Sequence, residues 1–236
     1  MSIFGSLNVC HDIASRSAAI NMAIDEALLE AATEPTVRFY RWGHPALSFG
    51  YFGRFSDVES QLPERDLVRR WTGGGIVFHG DDLTYSIAIP ASEPAFSESS
   101  TLIYEKIHNA IRAAFAANGH SVELASVAAL YERRNQIESA VTDRRYSKNS
   151  CFANPVRADV MLNGHKIAGA AQRRTRRGLL QQGSIQGVDL AEKLADQFAR
   201  ELCANCCHKT LDQDLIARAC EIAEHKYGTI SWLRRR

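Results

Sequence analysis

From Ser17 to Ala32 apolar residues recur at helical spacing, with Ile20, Ala23, Ile24, Ala27 and Leu28 on one face. Pro35 stands just past the end, where a helix stop belongs. Thr36 to Trp42 is rich in β-branched and aromatic residues and predicts a strand. His44-Pro45 breaks it, and Ala46 to Phe52 predicts a second short strand. Leu67 to Trp71 predicts a third, followed by the glycines Gly73 to Gly75 and the apolar run Ile76 to Phe78. Thr84 to Ile89 alternates, with Tyr85, Ile87 and Ile89 on one face and Thr84, Ser86 and Ala88 on the other. Ser99 or Ser100 caps a helix predicted to run to Asn118, with Leu102, Ile103, Ile107, Ile111 and Phe115 inward and Gly119 as its stop.

Tyr131 to Ser150 is polar and weakly periodic, and reads as irregular. Arg157 to Leu162 predicts a strand, Asn163-Gly164 a tight hairpin turn, and His165 to Ala171 the returning strand. Arg173 to Gly178 is a basic turn, and Leu179 to Ile185 a further strand. From Leu190 to Gly228 the pattern is that of two helices. Strands gather in hairpins in the middle, with helices at both ends. The expected class is α+β, or α/β in two layers, with a mixed and largely antiparallel sheet flanked by helices.

The 236 residues allow one or two domains and a sizeable core. With 45% apolar and 23% charged residues, the composition is that of a globular protein and excludes a disordered chain, a collagen-like repeat and a rod. The net charge of +1 argues against a protein built to hold nucleic acid. No run approaches the roughly 18 apolar residues of a membrane helix, and Met1 to Asp12 lacks the pattern of a secretory signal. A cytoplasmic location is expected. The six cysteines then read as reduced thiols.

Three segments carry candidate chemistry. In Arg69-Arg70-Trp71-Thr72-Gly73-Gly74-Gly75 the glycines let backbone approach a ligand and aim N–H groups at an oxygen, and the arginines suit an anion. A plain turn between strands is the competing reading. Lys166 sits beside Ile167, Ala168, Gly169, Ala170 and Ala171, small residues that leave room for a ligand next to an ammonium donor. The competing reading is a lysine guarding an edge strand. Cys151 lies in a loop upstream of Lys166, and a nearby ammonium would raise its thiolate fraction. Otherwise it is a small buried side chain.

Together these segments resemble the lipoate-protein ligase and octanoyltransferase family, with the related biotin ligases. RRWTGGGIVFH is similar to the family's Arg-Arg-x-Ser/Thr-Gly-Gly signature. NGHKIAGAAQRR and LLQQGSI are similar to its Lys-Ile-x-Gly-x-Ala-Gln and Gln-x-Gly-Ser-Ile signatures. NMAIDEALLE, RFYRWGHPALSFGYF and KYGTISW also match, so the likeness runs from about Asn21 to Trp232. SCFANP is similar to the cysteine loop of one octanoyltransferase type, and Asp82-Leu83-Thr84-Tyr85-Ser86 is closer to that type. Gly73-Gly74-Gly75 is a ligase-like form where that type often has Gly-Gly-Arg.

The resemblance implies one catalytic domain over residues 1–236, like that of biotin ligases, with a tunnel for an octanoyl chain. It implies that Cys151 takes an octanoyl group from acyl carrier protein as a thioester. A lysine of a lipoyl-domain protein, such as the glycine-cleavage H protein, then takes the group as an amide. Lys166 would assist Cys151 and the oxyanion. Arg70, Thr72, Gly73, Gly74, Gly75, His79, Gly169 and Ala170 would line the acyl or carrier pocket, with His79 also a candidate proton carrier. Tyr40 and Trp42 are expected in the core. No cofactor, metal, nucleic acid or membrane is required. Two alternatives remain. One is an ATP- and Mg-dependent lipoate-protein ligase, where Lys166 holds an acyl-adenylate and Cys151 stands by. The other is a non-catalytic acyl- or lipoyl-domain-binding module.

Cys203, Cys206, Cys207 and His208 lack the spacing of a haem or zinc site, and the three cysteines are expected to pack on a helix running from Leu190 to Cys207. Arg173, Arg174, Arg176 and Arg177 could meet an acidic partner or form a solvated tip. Arg234 to Arg236 reads as a solvated tail.

Overall fold

The structure is a computed structural model and describes residues 2–126, 155–187 and 193–235. The chain opens with strand β1 (Leu7–Asp12), helix α1 (Ala18–Ala31) and strand β2 (Thr36–Tyr40), a unit in which β1 and β2 run parallel. A small sheet follows from β3 (Ala46–Phe49), β4 (Asp66–Arg69) and β5 (Val77–His79), in the order β4-β3-β5. Strand β6 (Leu83–Pro90), helix α2 (Ser100–Ala117) and strand β7 (Glu123–Leu124) come next. The hairpin strands β8 (Val160–Leu162), β9 (His165–Arg174) and β10 (Gly178–Ile185) complete the middle. Helix α3 (Leu194–Leu202), strand β11 (Cys206–His208), helix α4 (Gln213–Ile222) and the short helix α5 (Ile230–Leu233) close the chain. The main sheet has the order β11-β1-β2-β6-β10-β9-β8-β7 and is antiparallel except where β1 meets β2 and β11. The expected mixed, largely antiparallel sheet with flanking helices is therefore the observed one.

The alternation in β6 sets the layers. Tyr85, Ile87 and Ile89 face one core with Ile103, Ile107, Ile111 and Phe115 of α2 and Phe198 of α3. Ala88 faces a second core built by α1 and α4. Ser17 caps α1 through the Ile20 N–H, and Ser99 caps α2 through the Leu102 N–H. Asn163 and Gly164 take φ values of 50° and 75°, the left-handed pair a two-residue hairpin turn needs.

The face of β6 turned to α1 is polar because it serves a buried charge network. Arg38 is fully buried; its Nη2 donates to Asp12 Oδ2 at 2.7 Å and its Nη1 to Asp25 Oδ1 at 2.8 Å. Asn21 Oδ1 takes a further bond from Nη2, and Tyr40, Ser86 and Gln182 also donate to Asp25. Every lone pair used here would otherwise be a buried orphan.

Several expectations give way to the structure. Leu102 is 43% exposed, because it falls one position off the stripe that Ile103, Ile107 and Ile111 present. The strand expected from Arg157 starts at Val160, since residues 156–159 form a turn closed by the Asp159 N–H on Val156 O. The helix expected to reach Cys207 ends at Leu202, and Cys206 to His208 pair parallel with Leu7 to Val9. Strand β1 was not anticipated. Arg234 and Arg235 are exposed, but their backbone is no free tail: buried Arg69 donates to the carbonyls of Trp232, Leu233 and Arg235.

Candidate active site

Gly73 to Gly75 follow β4 and lie on the backbone of Gly50. A Cβ on Gly50 would stand 2.0 Å from Gly74 O, and Gly74 itself has φ +89°, so glycine is required at both positions. The loop closes on its own arginine. Arg70 Nη2 donates to Gly73 O (3.1 Å) and Gly75 O (2.8 Å), and Nη1 to Ser48 Oγ at 2.6 Å. Arg69, one residue earlier, points the opposite way, to the C-terminal carbonyls. Thr72 is buried and ties the loop to β10 by donating to Gln182 Oε1 at 2.8 Å.

Ser48 links Arg70 to His79. An arginine can only donate, so the Ser48 hydroxyl proton is free for His79 Nε2, 2.7 Å away. The Asp82 carboxylate can only accept, so His79 Nδ1 carries the proton it shares with Asp82 Oδ2 at 2.8 Å. Burial pulls the His79 pKa below its ordinary value even against the pull of Asp82, and the ring is neutral. Burial pushes the Asp82 carboxyl up, but hydrogen bonds from His79, Ser184 and the Gly80 N–H outweigh it and hold the carboxyl below its usual range. With both ring nitrogens occupied and its face stacked 4.0 Å from Trp42, His79 is placed as wall and anchor.

A narrow cavity of about 30 Å³ lies against this relay, between α1, the small sheet and strands β9 and β10. Met22, Trp42 and Val77 give it apolar walls; Gly169, Ala170 and Ala171 make room, as their size suggested. Tyr40 and Trp42 are buried, as expected, and also line it. Ala170 and Ala171 extend into a second depression, where Gly73, Gly74 and Gly75 face Lys166 and Tyr104. The fold thus brings the glycine loop and the lysine strand to opposite walls of one opening.

Lys166 does not guard an edge. Strand β9 lies between β10 and β8, and the lysine side chain is 2% exposed. A bulge sets its direction: Met161 pairs with Lys166 but Val160 with Ala168, so Ile167 and Ala168 both enter the core. Lys166 and Gly169 then share the opposite face. The Lys166 side chain crosses Gly169 so closely that a Cβ there would stand 2.3 Å from its Cε. Its Nζ lies 2.8 Å from Asp159 Oδ2. Cys151 lies outside the described residues.

Sequence reasoning missed Asp159, Tyr104, Ser48 and the role of Asp82. One signal was available for Asp159: a lone carboxylate leading an apolar strand. The basic turn also resolves differently. Arg174 donates to the carbonyls of Phe96 and Glu98, and the Arg173 guanidinium lies 5.2 Å from the Tyr51 ring and 5.3 Å from Trp71. Of that group only Arg176 and Arg177 stand out as a tip, with Arg177 on Glu30. Among the described residues no cluster of metal ligands occurs, and no helix is long and apolar enough to cross a membrane.

Behind β8, His108 donates from Nδ1 to Ala158 O at 2.7 Å and accepts at Nε2 from Tyr85. Burial lowers its pKa to about 4, against 6.5 for a free imidazole. The unfolded chain takes up this proton as pH falls below 6.5 while the folded chain does not, so stability is lost between pH 6.5 and 4. The loss is on the order of 3 kcal/mol. Urea titrations across this range are expected to show that slope, and His108→Gln to flatten it. An unchanged slope in the variant would assign it elsewhere.

The lipoyl protein ligase A/B catalytic domain family matches residues 17–202. Octanoyltransferase LipM of Oceanobacillus iheyensis is 38% identical over 191 residues, covering 78% of this chain and 65% of that protein. LipM of Staphylococcus aureus is 36% identical over 194 residues, covering 78% and 67%. The chain spans about two thirds of the length of the curated relatives it matches, and 62–65% for three of them. Among solved structures, protein Ta0514 of T. acidophilum with bound lipoic acid superposes with a TM-score of 0.72 at 19% identity, covering 99% of this chain and 100% of that one. Lipoate-protein ligase A bound with ATP gives a TM-score of 0.72 at 19% identity, covering 99% of both chains. At that identity these two speak for the fold.

Proposed function

The chain belongs to the lipoyl protein ligase A/B catalytic domain family, and from that premise we propose that it transfers an octanoyl or lipoyl group between two proteins in the cytoplasm. The donor is acyl carrier protein, and the acceptor a lysine of a lipoyl-domain protein such as the glycine-cleavage H protein. The Cys151 thiolate attacks the donor's thioester carbon, and the carrier thiolate leaves and takes a proton. The acceptor's neutral ε-amine then attacks the enzyme thioester, the Cys151 thiolate leaves, and the amine's extra proton passes to solvent. Each step exchanges one bond to the acyl carbon, so no cofactor is consumed. Lys166 supplies positive charge beside the developing oxyanion. Arg70 and the glycine loop form the wall opposite, with His79 anchoring Arg70 through Ser48. Gly169 and Ala170 leave space for the acyl chain; Thr72 holds the loop on β10.

The observation that carries this reading is the cavity lined by apolar and small side chains that continues into the opening shared by Lys166 and the glycine loop. The relatives named octanoyltransferase favour transfer over ATP-dependent ligation. A lipoate protein ligase of Thermoplasma acidophilum described with its E2 lipoyl domain supports an acceptor of that class. Mixed with octanoyl carrier protein without ATP, the wild-type protein is expected to gain an octanoyl adduct by intact mass, and Cys151→Ala to gain none. Full transfer by Cys151→Ala, or transfer that requires ATP and Mg, would overturn the thioester route in favour of the ligase.

A further inference from the structure

Asp159 is fully buried, and its two oxygens are divided between separate parts of the chain. Oδ2 accepts the Val156 N–H at 2.6 Å and lies 2.8 Å from Lys166 Nζ. Oδ1 accepts the Tyr104 hydroxyl, which in turn accepts the Ala170 N–H at 3.1 Å. Tyr104 comes from α2, on the far side of the opening from the glycine loop, and its phenol bridges the lysine's counter-ion to the strand that bears the lysine. Burial, then the neighbouring carboxylate, push the Tyr104 pKa far above its ordinary value, so the hydroxyl keeps its proton and stays a donor.

The turn that presents Asp159 is strained and heavily supported. Ala158 has φ +68°, a left-handed conformation a side chain rarely adopts, and it is buried. Two bonds hold it: its N–H on Ala125 O, and its carbonyl on His108 Nδ1. The support continues inward from His108 to Tyr85 and from Tyr85 to Gln181. Such effort at one backbone position fits a carboxylate whose placement matters more than local backbone comfort.

We propose that Asp159 and Tyr104 are positioning residues for Lys166, fixing its ammonium over Gly169 at the mouth of the cavity and tying it to the chain that leaves at Val156. The inference rests on the functional role given to Lys166. The lysine stem is flexible, and the carboxylate and the phenol restrict where its charge can sit in the opening. Outer partners of a functional group typically change activity by about 10- to 100-fold.

The test uses Tyr104→Phe, which deletes one hydroxyl, and Asp159→Asn, which keeps shape and removes charge. Acyl transfer is followed in steady state, and acetic anhydride labelling of Lys166 is measured by peptide mass relative to Lys106 and Lys209. Tyr104→Phe is expected to lower kcat about tenfold with KM within twofold, and Asp159→Asn about a hundredfold. Both should raise Lys166 labelling relative to the other two lysines. A purely structural role would lower the melting temperature and leave kcat per folded molecule and the labelling ratio unchanged, which would overturn the proposal. If Asp159→Asn does not fold, Tyr104→Phe alone decides. If Lys166→Ala keeps full activity, the functional reading of the lysine fails instead.

Discussion

Lys166→Ala is expected to slow acyl transfer by about 100- to 1,000-fold, the loss seen when one oxyanion-stabilising donor is removed from a closed site. Both acyl-transfer steps build negative charge on the carbonyl oxygen, and Lys166 is placed on the wall facing the glycine loop. Its ammonium is buried and held by Asp159 at 2.8 Å, and a buried charge acts more strongly than one in solvent. The loss should appear in kcat, measured with octanoyl carrier protein and a lipoyl domain, with KM nearly unchanged. Lys166→Arg should not restore it, because the stem already lies where a Gly169 Cβ would sit and the planar guanidinium is larger. A Lys166→Ala variant with kcat near wild type would remove the lysine from the reaction.

Arg38→Ala is expected to destabilise the fold by about 3–5 kcal/mol, read as a fall in the urea midpoint at constant slope. Arg38 is fully buried, and its removal strands Asp12 and Asp25 without their cation. Burial pushes the Asp12 carboxyl up, but Arg16 and Arg38 outweigh it and hold it below its ordinary value. Asp12 therefore stabilises the fold above the ordinary carboxylate pKa and loses that contribution as pH falls, so the variant should also show a shallower acid slope. The effect reaches the site, since Asp25 accepts from Gln182 and Gln182 from Thr72 of the glycine loop. A destabilisation below about 1 kcal/mol would mean that water replaces the guanidinium at little cost.

Much of the secondary structure was legible because its signals are local. The serine caps, the Asn163-Gly164 turn and the apolar stripe of α2 each rest on a few neighbouring residues. Strand β11 was not legible: three residues cannot display a period, and Cys206 to His208 became a strand because β1 offered an unpaired edge. Leu102 was misplaced for a related reason, since a stripe read from sequence does not say how wide the facing groove is.

For the site, residue types in order along the chain were sufficient to single out the glycine loop, Arg70, His79, Lys166 and the small residues after it, and to indicate the family. What each side chain does there depended on distant partners. Arg70 and Arg69 turn to opposite sides because a strand end alternates its side chains, and the partners waiting on the two sides are Ser48 and the C-terminal carbonyls. Asp159 and Tyr104 lie 55 positions apart, and Thr72 and Gln182 lie 110 apart, separations across which no local pattern carries information. The sequence by itself determined most of the elements and the candidate chemistry, since propensity, capping and periodicity act between near neighbours. The tertiary structure alone decided which charges are buried together and where Lys166 points, because a buried polar group takes whichever partner folding brings within reach.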